Sequence, residues 1–299
     1  MDRLHLMIVF VAVAETESFA AASRRLGLSP PAVTRAIAEL EKRLGVKLFN
    51  RTTRFVRATE AGQRYLEDSR RIIGEIDDAD EAAAGVNAAP RGHLAVTAPV
   101  LFGKMFVLPI IVEYLRRYPD MQMSALFLDR AVNLLEEGLD VGIRIGELPD
   151  STMKATRVGS VRRVLCASPE YLTKHGTPDK PAALSTHSII AANGVSPTHE
   201  WKFRQGGKSI AARVTPRLTV NSNDAAIDAA LQGFGITRLL SYQIAPQVAS
   251  GRLKIILREF EPAPMSIHVL HREGRYGSTK VRSFVDLIVD QLRNDRALS

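Results

Sequence analysis

The segment Lys47-Leu48-Phe49-Asn50-Arg51-Thr52-Thr53-Arg54-Phe55-Val56-Arg57 carries four positive charges and no negative one. Guanidinium and ammonium groups bind phosphate oxygens and release condensed counterions, so such a run suits a nucleic-acid backbone. Its pattern predicts two short strands with Arg51, Thr52, Thr53 and Arg54 at the bend. That is a wing whose tip reaches phosphates or the minor groove. Upstream, Ser29, Pro30, Pro31, Thr34 and Arg35 gather where a helix is expected to begin. There a Thr methyl can meet a thymine methyl, and an Arg fork can take guanine O6 and N7 together.

Other groups that could do chemistry are weaker. Gly233-Phe234-Gly235-Ile236-Thr237-Arg238 opens like a dinucleotide fingerprint, but Arg238 stands at the third glycine and the run leads from helix to strand. The fingerprint needs the reverse order. Gly103-Lys104 fails as a phosphate loop, with Ala98 in place of the first glycine and Met105 in place of Ser or Thr. His268 and His271 lie three apart in a strand-like run, hence on opposite faces. No Ser/His/Asp or paired-carboxylate arrangement stands out, so neither an enzyme nor a metal or cofactor site is expected. Cys166, the only cysteine, sits in the apolar run Val164–Ala167 and reads as a buried structural thiol. Arg162 and Arg163 beside it keep a redox role open, since thiolates need nearby positive charge. Arg144 ends the run Asp140–Arg144 and is expected either in a salt bridge with Asp129 or Glu147 or against a ligand. Trp201, the only tryptophan, is expected in a core or on a cleft wall.

The elements that must position these groups can be read from spacing and caps. Leu6, Met7, Phe10, Val13 and Ala14 predict a helix over 3–15. Ser18 is an N-cap for a short helix ending at Gly27. Ser29, Pro30 and Pro31 open a third helix that places Val33, Ile37, Leu40 and Leu44 on one apolar face and stops at Gly45. Helix, glycine turn and capped helix make a helix-turn-helix, whose second helix enters the major groove. A long helix is expected over 60–87, capped by Thr59, with Tyr65, Ser69, Ile72, Ile76, Ala79 and Ala83 forming a coiled-coil seam.

The run Phe19-Ala20-Ala21-Ala22-Ser23-Arg24-Arg25-Leu26-Gly27-Leu28-Ser29-Pro30-Pro31-Ala32-Val33-Thr34-Arg35-Ala36-Ile37 resembles the LysR-type transcriptional regulators. So do Leu40-Glu41, Leu44 to Arg54, and Thr59-Glu60-Ala61-Gly62. The family commonly has Gln at the position of Pro30 or Pro31, so the double proline removes one side-chain base contact. The resemblance implies linker helices that pair, a dimer or tetramer, promoter DNA as partner and a C-terminal effector domain. The implied lobes are 91–163 plus 268–299, and 164–267.

Bulk properties agree with a two- or three-domain DNA-binding protein. The chain has 299 residues, 45% hydrophobic and 24% charged. Residues 1–59 hold ten Lys/Arg against five Asp/Glu, a net of +5 out of the +8 of the whole chain, so the basic excess sits at the front. No signal peptide and no apolar run of ~20 residues is evident, which makes the cytoplasm the expected location.

The expected organisation is a winged helix-turn-helix over 1–59, a linker helix over 60–89 and an effector domain over 90–299. The fold class is α/β, with a helix-rich DNA-binding module ahead of a two-lobed domain like that of periplasmic binding proteins. After 90, strands alternate with helices. Strands are expected at 93–97, 122–128, 140–144, 164–167, 236–240 and 267–270. Helices are expected at 101–118 (distorted by Pro109), 132–137, 169–175, 224–232 and 279–293. A mostly parallel sheet follows from that alternation. A small-molecule effector, with a carboxylate as the leading candidate class, is expected between the lobes. Its anchor is expected at the helix start Pro99-Val100-Leu101-Phe102, with Arg144, Trp201, Asn221, Asn223 and Phe234 as further contacts. A solute-binding protein sharing the two-lobed domain leaves residues 1–59 unexplained.

Overall fold

The structure is a computed structural model that describes residues 2–51, 56–84, 89–130, 132–148, 153–192, 200–272 and 278–298. The chain divides into two units, Met1–Gly92 with Gly277–Thr279, and His93–Tyr276 with Lys280–Ser299.

The first unit begins with three helices, α1 (Arg3–Thr16), α2 (Phe19–Leu26) and α3 (Pro30–Leu44). Strands β1 (Phe49–Arg51) and β2 (Val56–Ala58) pair antiparallel, and α4 (Glu60–Ala84) follows. The caps act where the sequence placed most of them. Ser18 Oγ accepts the Ala21 N–H at 3.2 Å. Gly27 closes α2 at φ 64°, a conformation cheap only for glycine. Ser29 differs from expectation, because its hydroxyl makes no cap bond. The reason lies in the two prolines, which have no N–H at the first two helical positions. The next two N–H groups, of Ala32 and Val33, already reach the Ser29 carbonyl at 2.9 and 3.2 Å.

Leu6, Phe10, Val13, Val33, Ile37 and Leu40 are fully buried in the core of this unit. Burying each such side chain contributes about 1.5–3 kcal/mol. The rings of Phe49 and Tyr65 pack on Phe10 at centroid distances of 5.2 and 5.3 Å. That contact corrects part of the expected linker seam. Tyr65 and Leu66 pack against the core of the helix-turn-helix, and Ser69 is fully buried. The N-terminal part of α4 is thus committed to its own unit, whereas Ile72 and Ile76 remain partly exposed and Ala79 exposed. Of Ala83, the last seam position, no side chain is described. Thr59 does cap α4, its Oγ1 accepting the Gly62 N–H at 3.0 Å.

The second unit contains two mixed five-stranded sheets. The first takes β3 (Gly92–Ala98), β4 (Met121–Phe127), β5 (Val141–Ile145), β6 (Met153–Val161) and β14 (Met265–Arg272), in the order β4-β3-β5-β14-β6. The second takes β7 (Arg163–Ala167), β8 (Ile189–Ala192), β11 (Pro216–Val220), β12 (Ile236–Leu240) and β13 (Lys254–Ile256), in the order β11-β8-β12-β7-β13. β9 (Glu200–Gln205) and β10 (Lys208–Arg213) form a separate two-stranded antiparallel hairpin whose Trp201, Phe203 and Ala212 join the core of the second sheet. The helices are α5 (Val100–Phe102), α6 (Leu108–Arg117), α7 (Pro169–His175), α8 (Asn223–Leu231), α9 (Ala245–Ala249) and α10 (Thr279–Asn294).

Two expectations are corrected here. The sheets are mixed rather than mostly parallel: β3 pairs parallel with β5, but β14 returns antiparallel to both β5 and β6. In the second sheet β12 is parallel to β8 and antiparallel to β7. Residues 132–137 are not a helix. Asn133 Oδ1 takes the Leu135 N–H at 3.0 Å, and Gly138 at φ 65° turns the chain after one loop. The helix after β3 is distorted as expected ahead of Pro109, through a π-helical turn at Gly103–Val107.

Candidate functional site

In the first unit, α3 buries Val33, Ala36, Ile37 and Leu40 and leaves Ser29, Pro30, Pro31, Thr34 and Arg35 exposed. The five predicted reading residues therefore share one open face. The Thr34 hydroxyl donates to the Pro30 carbonyl at 3.0 Å, which fixes the rotamer and leaves the methyl and oxygen lone pairs to the outside. Arg35, one residue further along the helix, is exposed as well. Thr52, Thr53 and Arg54 lie outside the described residues; the Arg51 backbone is the last residue of β1, paired with Val56.

The wing is locked to α3 by a residue that sequence reasoning left without a role. Glu41 is buried, and its Oε1 accepts the N–H groups of Leu48 at 3.0 Å and Phe49 at 3.3 Å. Its Oε2 pairs with Lys47 Nζ at 2.8 Å. Burial pushes this carboxyl up, but the hydrogen bonds from Lys47, Leu48 and Phe49 outweigh it and hold it below the ordinary carboxylate value. Glu15 ties three helices in the same way, through Arg25 at 2.6 Å and Arg70 at 3.0 Å.

In the second unit, the C-terminal ends of β3 and β5 meet residues of β7, β8 and β12 around a cavity of about 500 Å³, within the usual range for a small-ligand site. Arg144, Arg163 and Arg238 line it, with Trp201, Asn223 and Asp129. Arg144 forms neither expected salt bridge. It donates to the carbonyls of Arg130 and Val132 instead. Arg163 and Arg238 stand on the same face of β7 and β12, where Arg163 pairs with Leu240 and Arg238 with Leu165. Burial lowers the pKa of the Arg163 guanidinium. Burial and then the charge of Arg163 push Arg238 down to about 9. Among the described residues, no carboxylate forms a salt bridge with either. Arg238 lies over the Trp201 ring at 4.7 Å. Trp201 itself is buried among the second sheet's core residues and also walls the cavity, so both expectations for it hold together.

The expected anion anchor is already occupied. Asp129 Oδ1 accepts the Val100 N–H at 3.0 Å, and its Oδ2 accepts from Asn223 Nδ2 at 3.0 Å. Of the residues expected at that anchor and around it, Pro99 and Asn223 line the cavity. Val100, Leu101, Phe102, Asn221 and Phe234 do not. Val100 and Asn221 are exposed and Leu101 packs between cores. Phe102 is buried against the rings of Phe106 and Tyr242 at centroid distances of 4.8 and 5.4 Å. Phe234 is exposed beneath Arg217 at 5.6 Å. Arg163 and Arg238 are among the cavity residues that sequence reasoning missed. Their signal was present: Arg238 is a lone charge within the apolar run Ile236–Leu240, and Arg163 follows Arg162 at the head of the apolar run Val164–Ala167.

Among the described residues, no group of His, Cys, Asp or Glu could hold a metal ion, and no helix is long and apolar enough to cross a membrane. Cys166 is fully buried, and burial pushes its thiol up to about 12.

Comparison with known proteins agrees with this architecture. Residues 4–63 match the bacterial regulatory helix-turn-helix protein of the lysR family, and residues 87–293 match the LysR substrate binding domain. A transcriptional regulator of Xanthomonas campestris is 33% identical over 96% of this chain and 85% of its own length. The Escherichia coli transcriptional activator AaeR is 32% identical over 97% and 94%. The solved structure of CrgA, a LysR-type transcriptional regulator from Neisseria meningitidis, covers 97% of this chain and 99% of its own with TM-score 0.63 and 29% identity. With a helix-turn-helix in front and a ligand-sized cavity behind, matched to that family along nearly its whole length, the chain belongs to the LysR family: it is a DNA-binding transcriptional regulator with a substrate-binding effector domain, not an enzyme.

Proposed function

We propose that Thr34 and Arg35 read base edges of promoter DNA, with Ser29, Pro30 and Pro31 seated beside them and Arg51, Thr52, Thr53 and Arg54 of the wing on the backbone. The observation that carries this is the sided burial of α3: Val33, Ile37 and Leu40 inside, Thr34 and Arg35 outside. The modules are 1–59 for DNA, 60–89 for pairing of two chains and 90–299 for effector binding, working in the cytoplasm. Ile72 and Ile76, partly exposed on α4, supply the pairing seam of a homodimer, two of which make a tetramer. Paired chains fit paired half-sites. The cavity lined by Arg144, Trp201 and Asn223 is the effector site, and a small carboxylate suits its charge. Occupancy matters to transcription by favouring one assembly geometry over another. Fluorescence anisotropy on DNA from upstream of the protein's own gene, and on a scrambled duplex, tests the reading. Tighter binding to the first is expected; equal affinity for both refutes it.

A further inference from the structure

Resting on the effector reading of this cavity, we infer that its ligand is a small organic dianion, one anionic group held by Arg163 and Arg238 together and the second by Arg144. Arg163 and Arg238 come from adjacent strands of the second sheet and point from one face toward the same space. Arg144 comes from β5 of the first sheet and reaches the cavity from the other side. The positive charge is therefore divided into two poles on two sheets.

The neighbouring charges do not cancel these poles. Arg130, the fourth arginine among the described residues of the wall, is bidentate with Glu137 at 2.7 and 2.8 Å. The same Glu137 acts on Arg144 only through space, while burial works against the Arg144 charge. Asp129, the one carboxylate among the described residues of the wall, has one oxygen on the Val100 N–H and the other on the Asn223 amide. It is spent as a strap rather than as a counter-ion. Two like charges drawn out of water beside each other are costly without an anion. A carboxylate can take a fork from each of them, because a guanidinium presents its N–H groups in the plane that a carboxylate matches. One carboxylate settles one pole; the second pole asks for a second group on the same molecule. The Trp201 ring beneath Arg238 and the apolar Leu128, Ile143 and Met265 leave room for a hydrocarbon or aromatic frame between them.

Trp201 is the only tryptophan, so its emission reports this cavity alone. The test titrates the full-length protein, in low-chloride buffer, with phthalate, benzoate, benzamide, succinate and butyrate, following tryptophan fluorescence. Phthalate or succinate is expected to bind at least about tenfold tighter than its monoanionic partner, the worth of one charge-assisted contact. Arg144→Gln should bring the dianion down to the monoanion's affinity. Arg163→Gln and Arg238→Gln should abolish both. These two variants also remove a like-charge repulsion, so the free protein should melt no lower than wild type, which separates lost binding from lost folding. Arg238→Lys should recover part of the affinity. Equal binding of benzamide and benzoate, no response to any anion, or unchanged affinity in the arginine variants would overturn the inference. A parallel anisotropy measurement on DNA distinguishes the two claims. An uncharged compound that alters both Trp201 and DNA binding overturns the dianion and leaves the effector cavity standing. A dianion that binds without changing DNA binding supports the site and refutes its regulatory role.

Discussion

Asn223 and Asp129 are joined by a 3.0 Å hydrogen bond that connects the start of α8, beside the second sheet, to the segment after β4 of the first. The same carboxylate holds the Val100 N–H at 3.0 Å. A side chain of the protein thus fills the place that a ligand carboxylate was expected to take at this helix start. The contact is partly buried, so its geometry matters more than that of a surface pair. Asn223→Asp would set two carboxylates against each other and should cost about 1–2 kcal/mol. Adding Asp129→Asn should restore most of that loss. The amide introduced by that second change could still accept from the Val100 N–H while donating to the new carboxylate on α8. Thermal melts of the two single variants and the double variant check it. A double variant no more stable than Asn223→Asp alone would show that the strap is not the coupling.

Arg35→Ala should lose about 1–3 kcal/mol at one base pair of the site and relax specificity there. Arg51→Ala and Arg54→Ala should instead weaken binding to every duplex and lower the salt slope by about one each. Anisotropy titrations at several salt concentrations, on matched and single-substituted sites, separate the two patterns.

Much of the first unit was legible because its signals are local. Ser18, Gly27, Gly45 and the i, i+3, i+4 apolar positions each act within a turn or two, and the three helices begin and end close to where they predict. The second unit was less legible because its sheets are settled by partners far away in sequence. β14 pairs with β5 and β6 more than a hundred residues upstream, and nothing in its own sequence says that it runs antiparallel to them. The occupied start of α5 was hidden for the same reason, since Asp129 lies 29 residues beyond Val100. The Arg163–Arg238 pair needed the register of β7 and β12 before the two charges could be brought together. Tyr65 fitted a heptad spacing and a core contact equally well; only the Phe10 ring at 5.3 Å decides.

That decision splits the linker helix in two. Ile72→Asp with Ile76→Asp should drive an assembled protein toward monomer, because an unpaired charge is costly in an apolar seam. The melting of the helix-turn-helix unit should change little. Tyr65→Ala should do the reverse, destabilising the unit by about 1–3 kcal/mol, since its ring is partly buried against the core, while leaving assembly intact. Sedimentation velocity and thermal melts of both variants provide the measurement. Unchanged sedimentation of the double isoleucine variant at micromolar concentration would remove the seam from α4.

Glu41 supplies the last expectation, a pH dependence whose sign follows from its contacts. Its folded-state carboxyl titrates below the ordinary value of 4.5, because the bonds from Lys47, Leu48 and Phe49 favour the ionised form more than burial disfavours it. A depressed carboxylate contributes stability that is complete above its unfolded pKa and is lost as pH falls through the folded one. The acid limb of the melting curve should therefore steepen below 4.5. Glu41→Gln keeps the shape but gives up the charge on the acceptor for Leu48 and Phe49 and the pair with Lys47. It should cost about 1.5–3 kcal/mol at pH 7, and the loss relative to wild type should shrink as the pH is lowered past 4.5. DNA affinity should fall with it, since the same two N–H groups hold the start of the wing against the end of α3. Melts from about pH 3 to 8 on both proteins decide the matter: a difference between them that stays constant with pH would show that the Glu41 charge is not what locks the wing.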